Sequence, residues 1–505
     1  MNLIKRSVLP CFFLLLASLL GARNNQGFPS LEADPRAREF ADRAAASSGG
    51  PQAAGGLWRT LAEAALWASS VNAGAGAEQK AAACMDRINA AASELASAPD
   101  LPADARARGE YVLTFIHRRF LKSYSEYQTR LDEIFVSGRY NCVSSAVLYL
   151  VLGLSAGLDV GGVMTRDHAF ATVNTPSGPV DAETTNPYGF DPGNKKEFQD
   201  AFGKATGFAY VPARNYRDRA VINGLELVSL ILSNRISVLE RANRFAEAVP
   251  LAINRAVLLS RDTGAAGHTE RAAFFEDPYS DMITRMMNYG ASLLKAGREK
   301  ETLAWVDYAS PRYDGGGRWQ ELNDAALNNQ LVRLIRNRKA GEARAVLNAE
   351  GARLSREKYA ELDGTVLEAE AAERINGLKN PGEAETILAW LAETWNRLPE
   401  KKREEMRSTT VLKEAERFGR LRDWSAAIVW LNASLEKYGP DKRVENALRT
   451  FRQNRVGELH NEFASFYNKK DFAGARAAVL RALEEFPGER QLSQDLNMAE
   501  RALQQ

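Results

Sequence analysis

Apolar residues recur along most of the chain at the three- and four-residue spacing of helices that bury one face. In the N-terminal third this spacing predicts helices in LWRTLAEAALWA, AEQKAAACMDRINAAASELA and ARGEYVLTFIHRRFLKSY. It returns between residues 140 and 158, where Val143, Val147 and Leu150 share one face and Gly157 ends the helix.

The pattern changes beyond residue 158, where short, β-branched and partly alternating segments replace the helical spacing. VGGVM and HAFATV have the pattern of strands, and NTPSGP supplies the turn of a hairpin whose returning strand is GPVDAETT. A helix followed by antiparallel strands within one unit predicts an α+β domain.

Beyond residue 210 every element has a helical pattern, in which a polar turn, a small residue and an apolar helix recur. The small residues are Ala248, Ala343, Ala384, Ala427 and Ala475, at irregular intervals. DFAGARAAVLRALEEFP, residues 471–487, resembles the second helix of a tetratricopeptide repeat. We therefore predict a degenerate array of helical hairpins, tetratricopeptide-like at its C-terminal end, with an irregular helical bundle as the alternative.

Composition and charge narrow the class of protein. A chain of 505 residues is too long for one core, so two or three domains are expected. The net charge is only +2, and no basic stripe with interleaved aromatic residues is present, which argues against a nucleic-acid partner.

The first 22 residues have the pattern of an export signal, with Lys5 and Arg6 before the apolar run VLPCFFLLLASLL. This run is short for a membrane span, which needs about 20 residues. The cleavage site is poor, so an uncleaved membrane anchor is the alternative. We predict an exported protein, periplasmic or extracellular, whose residues 23–56 form a flexible linker with a weak helix near residues 34–46.

Cys142 has the surroundings that a thiol nucleophile needs. Asn141 is a good N-cap, which places Cys142 in the first turn of its helix. Backbone N–H groups and the positive end of the helix dipole favour a thiolate there. His168, at the start of HAFATV, is the histidine expected to pair with it, because the others lie in the helical half or, like His117, between apolar neighbours.

Asp181 is the carboxylate expected to orient the imidazole. A hairpin centred between Asn174 and Thr175 would set His168 opposite Asp181 on one face of the sheet. A turn centred on Ser177 and Gly178 would instead pair Asp181 with Asn174. Both registers remain open on the sequence alone.

Other interpretations of these residues remain. Glu183 and Asp191 are nearby acids that could take the place of Asp181, and Glu183 shares its strand face. Cys142 could also form a disulfide with Cys84, as a structural or a redox pair, or be a buried small side chain. One histidine and scattered carboxylates make no recognisable metal-ligand set, so we expect neither a metal nor a cofactor.

Residues 111–191 resemble the transglutaminase-like superfamily, whose papain-like core carries Cys, His and Asp in this chain order. The resemblance implies that Cys142 is the nucleophile, His168 the general base and acid, and Asp181 the orienting carboxylate. Two departures stand out: the interval from cysteine to histidine is short, and Phe170 occupies a position where the family often has Trp.

The donors of an oxyanion hole are the least determined part of the predicted site. The backbone N–H of Cys142 is one candidate. The side chains of Tyr140, Asn141 and Gln128 are the other pocket residues that we expect near the thiol.

The predicted fold class is therefore α+β, a transglutaminase-like (papain-like) core with an N-terminal helical extension, followed by an all-α array. The predicted segments are a signal or anchor at 1–22, a linker at 23–56, the helical extension and cysteine domain at 57–215, and the tetratricopeptide-like array at 216–505.

Two functions follow from this organisation. The first is an exported thiol enzyme, a peptidase, amidase or acyltransferase that acts on an amide bond through a thioester at Cys142. Its substrate would be a polypeptide or a cell-wall peptide, with a protein partner on the helical array. The second is a non-catalytic interaction scaffold in which the cysteine domain is inert.

Overall fold

The protein is described by a computed structural model over residues 27–47, 54–74, 76–193, 198, 219–261 and 277–504. The predicted export signal lies outside these ranges. The described chain is mostly helical with a small sheet, and it divides into unit 1, Met1–Leu322, and unit 2, Asn323–Gln505. Within the described residues, no helix combines the length and the apolar character that crossing a membrane requires.

Unit 1 combines helices with short strands. Its helices are α1 (Pro35–Ala46), α2 (Ala54–Ser70), α3 (Ala77–Ala96), α4 (Ala105–Arg119), α5 (Leu131–Ser137), α6 (Cys142–Ser155), α7 (Gly224–Arg241), α8 (Phe245–Leu258), α9 (Pro278–Lys295) and α10 (Glu299–Ala309). Its strands are β1 (Ser123–Tyr124), β2 (Arg139–Tyr140), β3 (Asp159–Met164), β4 (Ala169–Thr175), β5 (Gly178–Ala182) and β6 (Ala220–Ile222).

Helix α6 is the centre of unit 1. Every residue from Val143 to Gly153 is buried, because the helix is apolar on all sides and packs against α2, α4, α7 and the strands β3 and β4. Its start is fixed by a capping box, in which Asn141 and Ser144 each bind the backbone N–H of the other. The prediction that Asn141 caps a buried helix beginning at Cys142 is confirmed.

The main sheet has the strand order β5-β4-β3-β6, and all its pairs are antiparallel. Thr175 pairs with Gly178, so the β4–β5 hairpin turns at residues 176–177. Asp181 consequently lies opposite Thr172, four residues along the chain from His168. Both predicted registers are wrong, because the turn falls between the two centres that we considered.

The boundary between the units differs from the predicted one at residues 215 and 216. The three-residue strand β6 pairs with β3, and α7 packs against α2 and α6. The segment around β6, which we expected to be helical, therefore completes the sheet. Its neighbours up to Leu322 belong to the same compact unit as Cys142.

The predicted linker is also more ordered than expected where it is described. Asp34 caps α1, and Phe40 of this helix is buried against Trp67 with a ring-centroid distance of 5.7 Å. Phe28 packs on the ring of Trp305 at 5.7 Å. Residues 27–47 thus contribute to the core of unit 1 instead of forming a flexible connection.

A close-packed loop follows β5 and returns to it. The Glu183 N–H donates to the Gly189 carbonyl, and a side chain at Gly189 would meet the Glu183 carbonyl oxygen at 2.0 Å. The adjacent Phe190 ring lies so close to Gly109 on α4 that a Cβ there would approach it to 2.4 Å. Tyr149 of α6 donates its hydroxyl to the Gly109 carbonyl at 3.0 Å. This loop therefore joins α4, α6 and the hairpin.

Unit 2 is built from helices, and those from residue 340 onward pack on their neighbours in sequence. The first of them, α11 (Arg318–Arg336), begins in unit 1 and continues into unit 2. The others are α12 (Ala340–Glu350), α13 (Arg356–Gly377), α14 (Glu383–Glu393), α15 (Glu400–Arg420), α16 (Trp424–Tyr438), α17 (Lys442–Asn468), α18 (Phe472–Glu485) and α19 (Arg490–Leu503). The recurring small residues Ala343, Ala384, Ala427 and Ala475 are fully buried, which lets the helices approach closely.

Candidate active site

Cys142 and His168 meet beside a cavity in unit 1. Cys142 is the first residue of α6 and is half-buried, while His168 ends the turn that precedes β4. Thr165 donates its backbone N–H and its hydroxyl to the His168 carbonyl, at 2.8 and 3.2 Å, and so fixes this turn. The side chains of Cys142 and His168 are hydrogen-bonded to each other.

Glu183 is the carboxylate that contacts the histidine. Its Oε2 lies 2.7 Å from His168 Nε2, and its side chain is fully buried. Its other oxygen, Oε1, accepts the Thr185 hydroxyl at 2.8 Å and the Thr185 backbone N–H at 3.2 Å. Because Nε2 faces Glu183, Nδ1 is the ring nitrogen left for the Cys142 thiol.

Asp181 does not take the role that we predicted for it. It forms a two-pronged ion pair with Arg219, with Asp181 Oδ2 at 2.8 Å and Oδ1 at 2.5 Å from the guanidinium nitrogens. The same guanidinium lies over the Phe170 ring at 5.4 Å. Asp191, the other acid that we considered, has a partly exposed side chain and pairs with Arg106.

The electrostatics of this cluster favour a protonated imidazole. Burial by itself would lower the pKa of His168, but the Glu183 charge and the hydrogen bonds with Cys142 and Glu183 raise that pKa well above its ordinary value of 6.5. An imidazolium between a carboxylate and a sulfur atom stabilises the thiolate form of that sulfur. The arrangement is suited to a thiolate–imidazolium pair.

A second layer of hydrogen bonds holds the backbone after Glu183. His117 Nε2 lies 3.0 Å from the Thr184 carbonyl, and the Thr184 hydroxyl lies 2.8 Å from the Ser145 hydroxyl on α6. Tyr140 donates its hydroxyl to the Thr185 carbonyl at 3.1 Å. Sequence patterns gave no indication of Thr184, Thr185 or Ser145, because these contacts arise only when separate elements pack.

Two of the predicted oxyanion donors use their polar groups elsewhere. Both N–H bonds of the Gln128 amide are directed to the carbonyls of Arg130 and Arg139, at 2.9 and 3.0 Å. The Tyr140 hydroxyl is committed to the Thr185 carbonyl. The prediction that either side chain donates to an oxyanion is wrong, since each of them instead donates to backbone carbonyl groups.

Asn141, Cys142 and Tyr124 are among the residues that line the cavity. The Asn141 amide nitrogen donates to the Glu126 carbonyl at 3.1 Å, so this side chain shapes the wall. The backbone N–H of Cys142 has no acceptor within its own helix, because it opens the first turn. Burial and the nearby Cys142 charge raise the pKa of Tyr124, which keeps its phenol protonated as a donor.

The cavity above the thiol has a volume of about 440 Å³, within the usual range for a ligand site. One wall is the turn from Thr165 to Ala169, and another is a single face of α7. Because Cys142 lines this cavity, it differs from a cysteine that is buried in the core.

Cys84 and Cys142 are both free. Cys84 is buried in α3, and burial followed by the Asp132 charge raises the pKa of its thiol. The disulfide interpretation is therefore not supported for this pair. Among the described residues, His, Cys, Asp and Glu side chains form no group of three that could hold a metal ion.

Replacing Thr185 by valine should slow the alkylation of Cys142 by about tenfold, because Glu183 Oε1 loses its hydroxyl donor and the carboxylate is held less firmly against His168. The rate of iodoacetamide modification as a function of pH measures this. Thr172→Val is the matched control, since it removes a buried hydroxyl from the same hairpin without touching Glu183. Equal rates in Thr185→Val and wild type would exclude a positioning role.

Comparison with protein-family models, curated proteins and solved structures found no match to this chain.

Proposed function

We propose that unit 1 is a thiol enzyme of the transglutaminase-like type, which cleaves or transfers an amide bond through a thioester on Cys142. The single observation that carries this proposal is the position of His168, which is hydrogen-bonded to the Cys142 thiol on one side and to the buried Glu183 carboxylate on the other. Glu183 takes the orienting role that the family resemblance implied for Asp181.

The reaction begins with the Cys142 thiolate attacking the amide carbonyl carbon, so that a C–S bond forms and negative charge moves to the oxygen. Cys142 and Tyr124 both line the cavity, and the backbone N–H of the first and the phenol of the second would donate to that charge. As the C–N bond breaks, the His168 imidazolium gives its proton to the leaving amine. A thioester and a neutral imidazole remain.

In the hydrolytic reaction, water attacks the thioester and completes the catalytic cycle. Neutral His168 accepts a proton from the water as its oxygen attacks the thioester carbon, the C–S bond breaks, and the acid is released. That proton remains on the imidazole and restores the thiolate–imidazolium pair. An amine in place of water would give a new amide by the same steps. Glu183 stabilises the imidazolium at both stages.

The architecture of unit 1 supports the family resemblance. A buried helix carries the thiol at its first residue, and the antiparallel sheet packed on that helix brings the histidine and the acid to its N-terminal end. For unit 2 we propose a tetratricopeptide-like array that binds a protein partner, on the strength of its successive packed helices. Export to the periplasm or the extracellular space is part of the same proposal.

Alkylation of the thiols tests the central proposal. With iodoacetamide at pH 6.5, Cys142 should react at least about tenfold faster than a model thiol, while Cys84 stays unmodified because it is buried with a raised pKa. Peptide mapping by mass spectrometry distinguishes the two sites. Cys142→Ala should abolish the label. If Cys142 reacts no faster than the model thiol and His168→Ala changes nothing, unit 1 is an inert module of an interaction scaffold.

A further inference from the structure

A second cavity adjoins the one above Cys142. It has a volume of about 620 Å³ and lies on the other side of Tyr127 and Val238, which line both cavities. Tyr127 is 62% exposed, and the Arg241 guanidinium lies over its ring, 5.4 Å from the ring centroid. An exposed aromatic ring at the junction of two cavities is a surface on which an extended chain can rest.

Helix α7 forms a wall of both cavities. Leu230, Ser233, Asn234, Ser237, Val238 and Arg241 line the first cavity, at the spacing of one helical face. Arg235 and Leu239, on the neighbouring face, line the second. The Asn234 amide donates to the Thr129 hydroxyl and the Ser237 hydroxyl donates to the Ser233 carbonyl, each at 3.1 Å. Their side-chain oxygens can accept from the N–H groups of a polypeptide. The two cavities thus form one cleft along α7.

The two halves of this cleft differ in charge. In the first cavity the charges of Glu126 and Asp167 balance those of Arg166 and Arg241. The charged residues that line the second cavity are Arg130, Arg235, Arg244 and Glu247. Arg130 is bound to Asp132 and Arg244 to Glu247. The remaining cation of this lining is Arg235.

Arg235 is held by backbone groups. Its guanidinium donates to the carbonyls of Ala68 and Val71, at 2.5 and 2.8 Å, at the C-terminal end of α2. Burial and the repulsion of nearby Arg130 lower the pKa of Arg235 to about 10, and the Asp132 charge offsets only part of this lowering. A carboxylate entering the second cavity would relieve this unfavourable charge.

From this geometry we propose that the cleft binds an extended peptide across Tyr127, with the bond to be cleaved above Cys142 and a substrate carboxylate in the second cavity. The inference rests on the proposed function and deepens it, because it names the substrate class as acidic peptides. The group recognised is the side-chain carboxylate of a Glu or Asp residue in the peptide.

Hexapeptides that carry a thiol-directed acyloxymethyl ketone test this inference on the full-length protein. In the acyloxymethyl ketone series, Glu is replaced by Gln at one position at a time. A second series, of peptidyl epoxides with the same replacements, covers the residues on the opposite side of the cleaved bond. At one position the Glu peptide should label Cys142 about tenfold faster than its Gln counterpart, as expected for a charged hydrogen bond. The preference should fall as salt is added.

Ala73 offers a matched pair of variants. It is exposed, lines the second cavity and follows Val71, whose carbonyl binds Arg235. Ala73→Glu places a competing carboxylate there and should bring the Glu-to-Gln rate ratio close to one, whereas Ala73→Gln should retain the ratio. Measuring the ratio within each variant cancels any change in the reactivity of Cys142 itself.

Equal rates for every Glu and Gln pair, or a ratio that survives in Ala73→Glu, would overturn the inference. Peptides that fail to label a Cys142 that iodoacetamide still modifies rapidly would overturn it as well. The proposed function fails in a different way, through a slow reaction with iodoacetamide alone. The two failures are therefore distinguishable in one set of measurements.

Discussion

Replacing Glu183 by glutamine should slow the alkylation of Cys142 by roughly 100-fold or more, whereas Asp181→Asn should leave the rate close to that of wild type. Glutamine has the shape of glutamate but no charge, and an uncharged partner stabilises neither the imidazolium nor the correct tautomer. Without the Glu183 charge, the burial of His168 lowers its pKa and removes the proton that stabilises the thiolate.

The same substitution should also change how the alkylation rate of Cys142 depends on pH, in a direction that the pKa of His168 determines. In wild type the raised pKa of His168 keeps the imidazolium, and with it the reactive pair, at pH values above 6.5. In Glu183→Gln the upper limit of that range should move to lower pH. Rates of iodoacetamide modification between pH 5 and pH 9, followed at Cys142 by mass spectrometry, measure the shift.

Asp181→Asn is the matched control, because it removes a neighbouring carboxylate of the same hairpin. It weakens the ion pair with Arg219 and should lower the free energy of unfolding of unit 1 by about 1–3 kcal/mol without affecting the thiol. If Asp181→Asn lost reactivity and Glu183→Gln kept it, the assignment of the orienting acid would have to be reversed.

The second large effect is a loss of stability in acid that depends on His117. Burial lowers the pKa of His117 to about 4, so the ring is neutral in the folded protein while the unfolded chain binds a proton near pH 6.5. The stability that follows from this difference is complete above pH 6.5 and is lost as the pH falls toward 4. Linkage gives a loss of about 2 kcal/mol between pH 7.5 and pH 5.

His117→Gln isolates this contribution, because an amide can donate to the Thr184 carbonyl at every pH. The acid-dependent loss should then be smaller by about 2 kcal/mol than in wild type. His168 acts in the opposite direction, since its raised pKa adds stability as the pH falls from 7.5 to 6.5. This contribution is the same in His117→Gln and in wild type, so it cancels in the comparison.

Cys84 is a local probe for the His117 experiment. In a Cys11→Ala, Cys142→Ala background it is the one thiol remaining of the three in the sequence. Its exposure to dithiodipyridine in urea, measured at both pH values, reports unfolding of unit 1. The same acid sensitivity in His117→Gln and wild type would contradict the assignment.

Local signals were sufficient to predict one half of the candidate site. Asn141 has the side chain that caps a helix, and an apolar run follows Cys142, so the position of the thiol could be derived without tertiary information. His168 could be placed at the start of a strand because HAFATV has a strand pattern between turn-forming residues. These features depend on residues close together in the chain.

The identity of the acid depends on register, which local signals left open. NTPSGP allows several turn centres, and moving the centre by two residues moves every cross-strand partner by four. Asp181 therefore lies opposite Thr172, and Glu183 contacts His168 from just beyond the end of β5. The face shared by Asp181 and Glu183 made the second acid an alternative, but only the packed hairpin distinguishes them.

The remaining differences come from contacts between distant segments. Tyr140 has a suitable donor, but folding brings the Thr185 carbonyl that accepts it from 45 residues away. One of the two carbonyls that bind Gln128 belongs to Arg139, on the neighbouring strand β2. The strand β6 has only three residues, Ala220–Ile222, which is too short for a periodic pattern. Its pairing with β3, together with the successive packing of the helices α7 to α10 that follow it, places these residues in unit 1.

The contact of Gly109 with the Phe190 ring implies that a substitution on α4 can change the reactivity of the Cys142 thiol, although no residue of this helix lines the cleft. A bulkier residue there displaces the ring, and the ring is joined through a few residues of backbone to Glu183. Natural variation that alters turnover should therefore include substitutions on this outlying helix. Mutagenesis confined to the residues around the substrate would miss that route entirely.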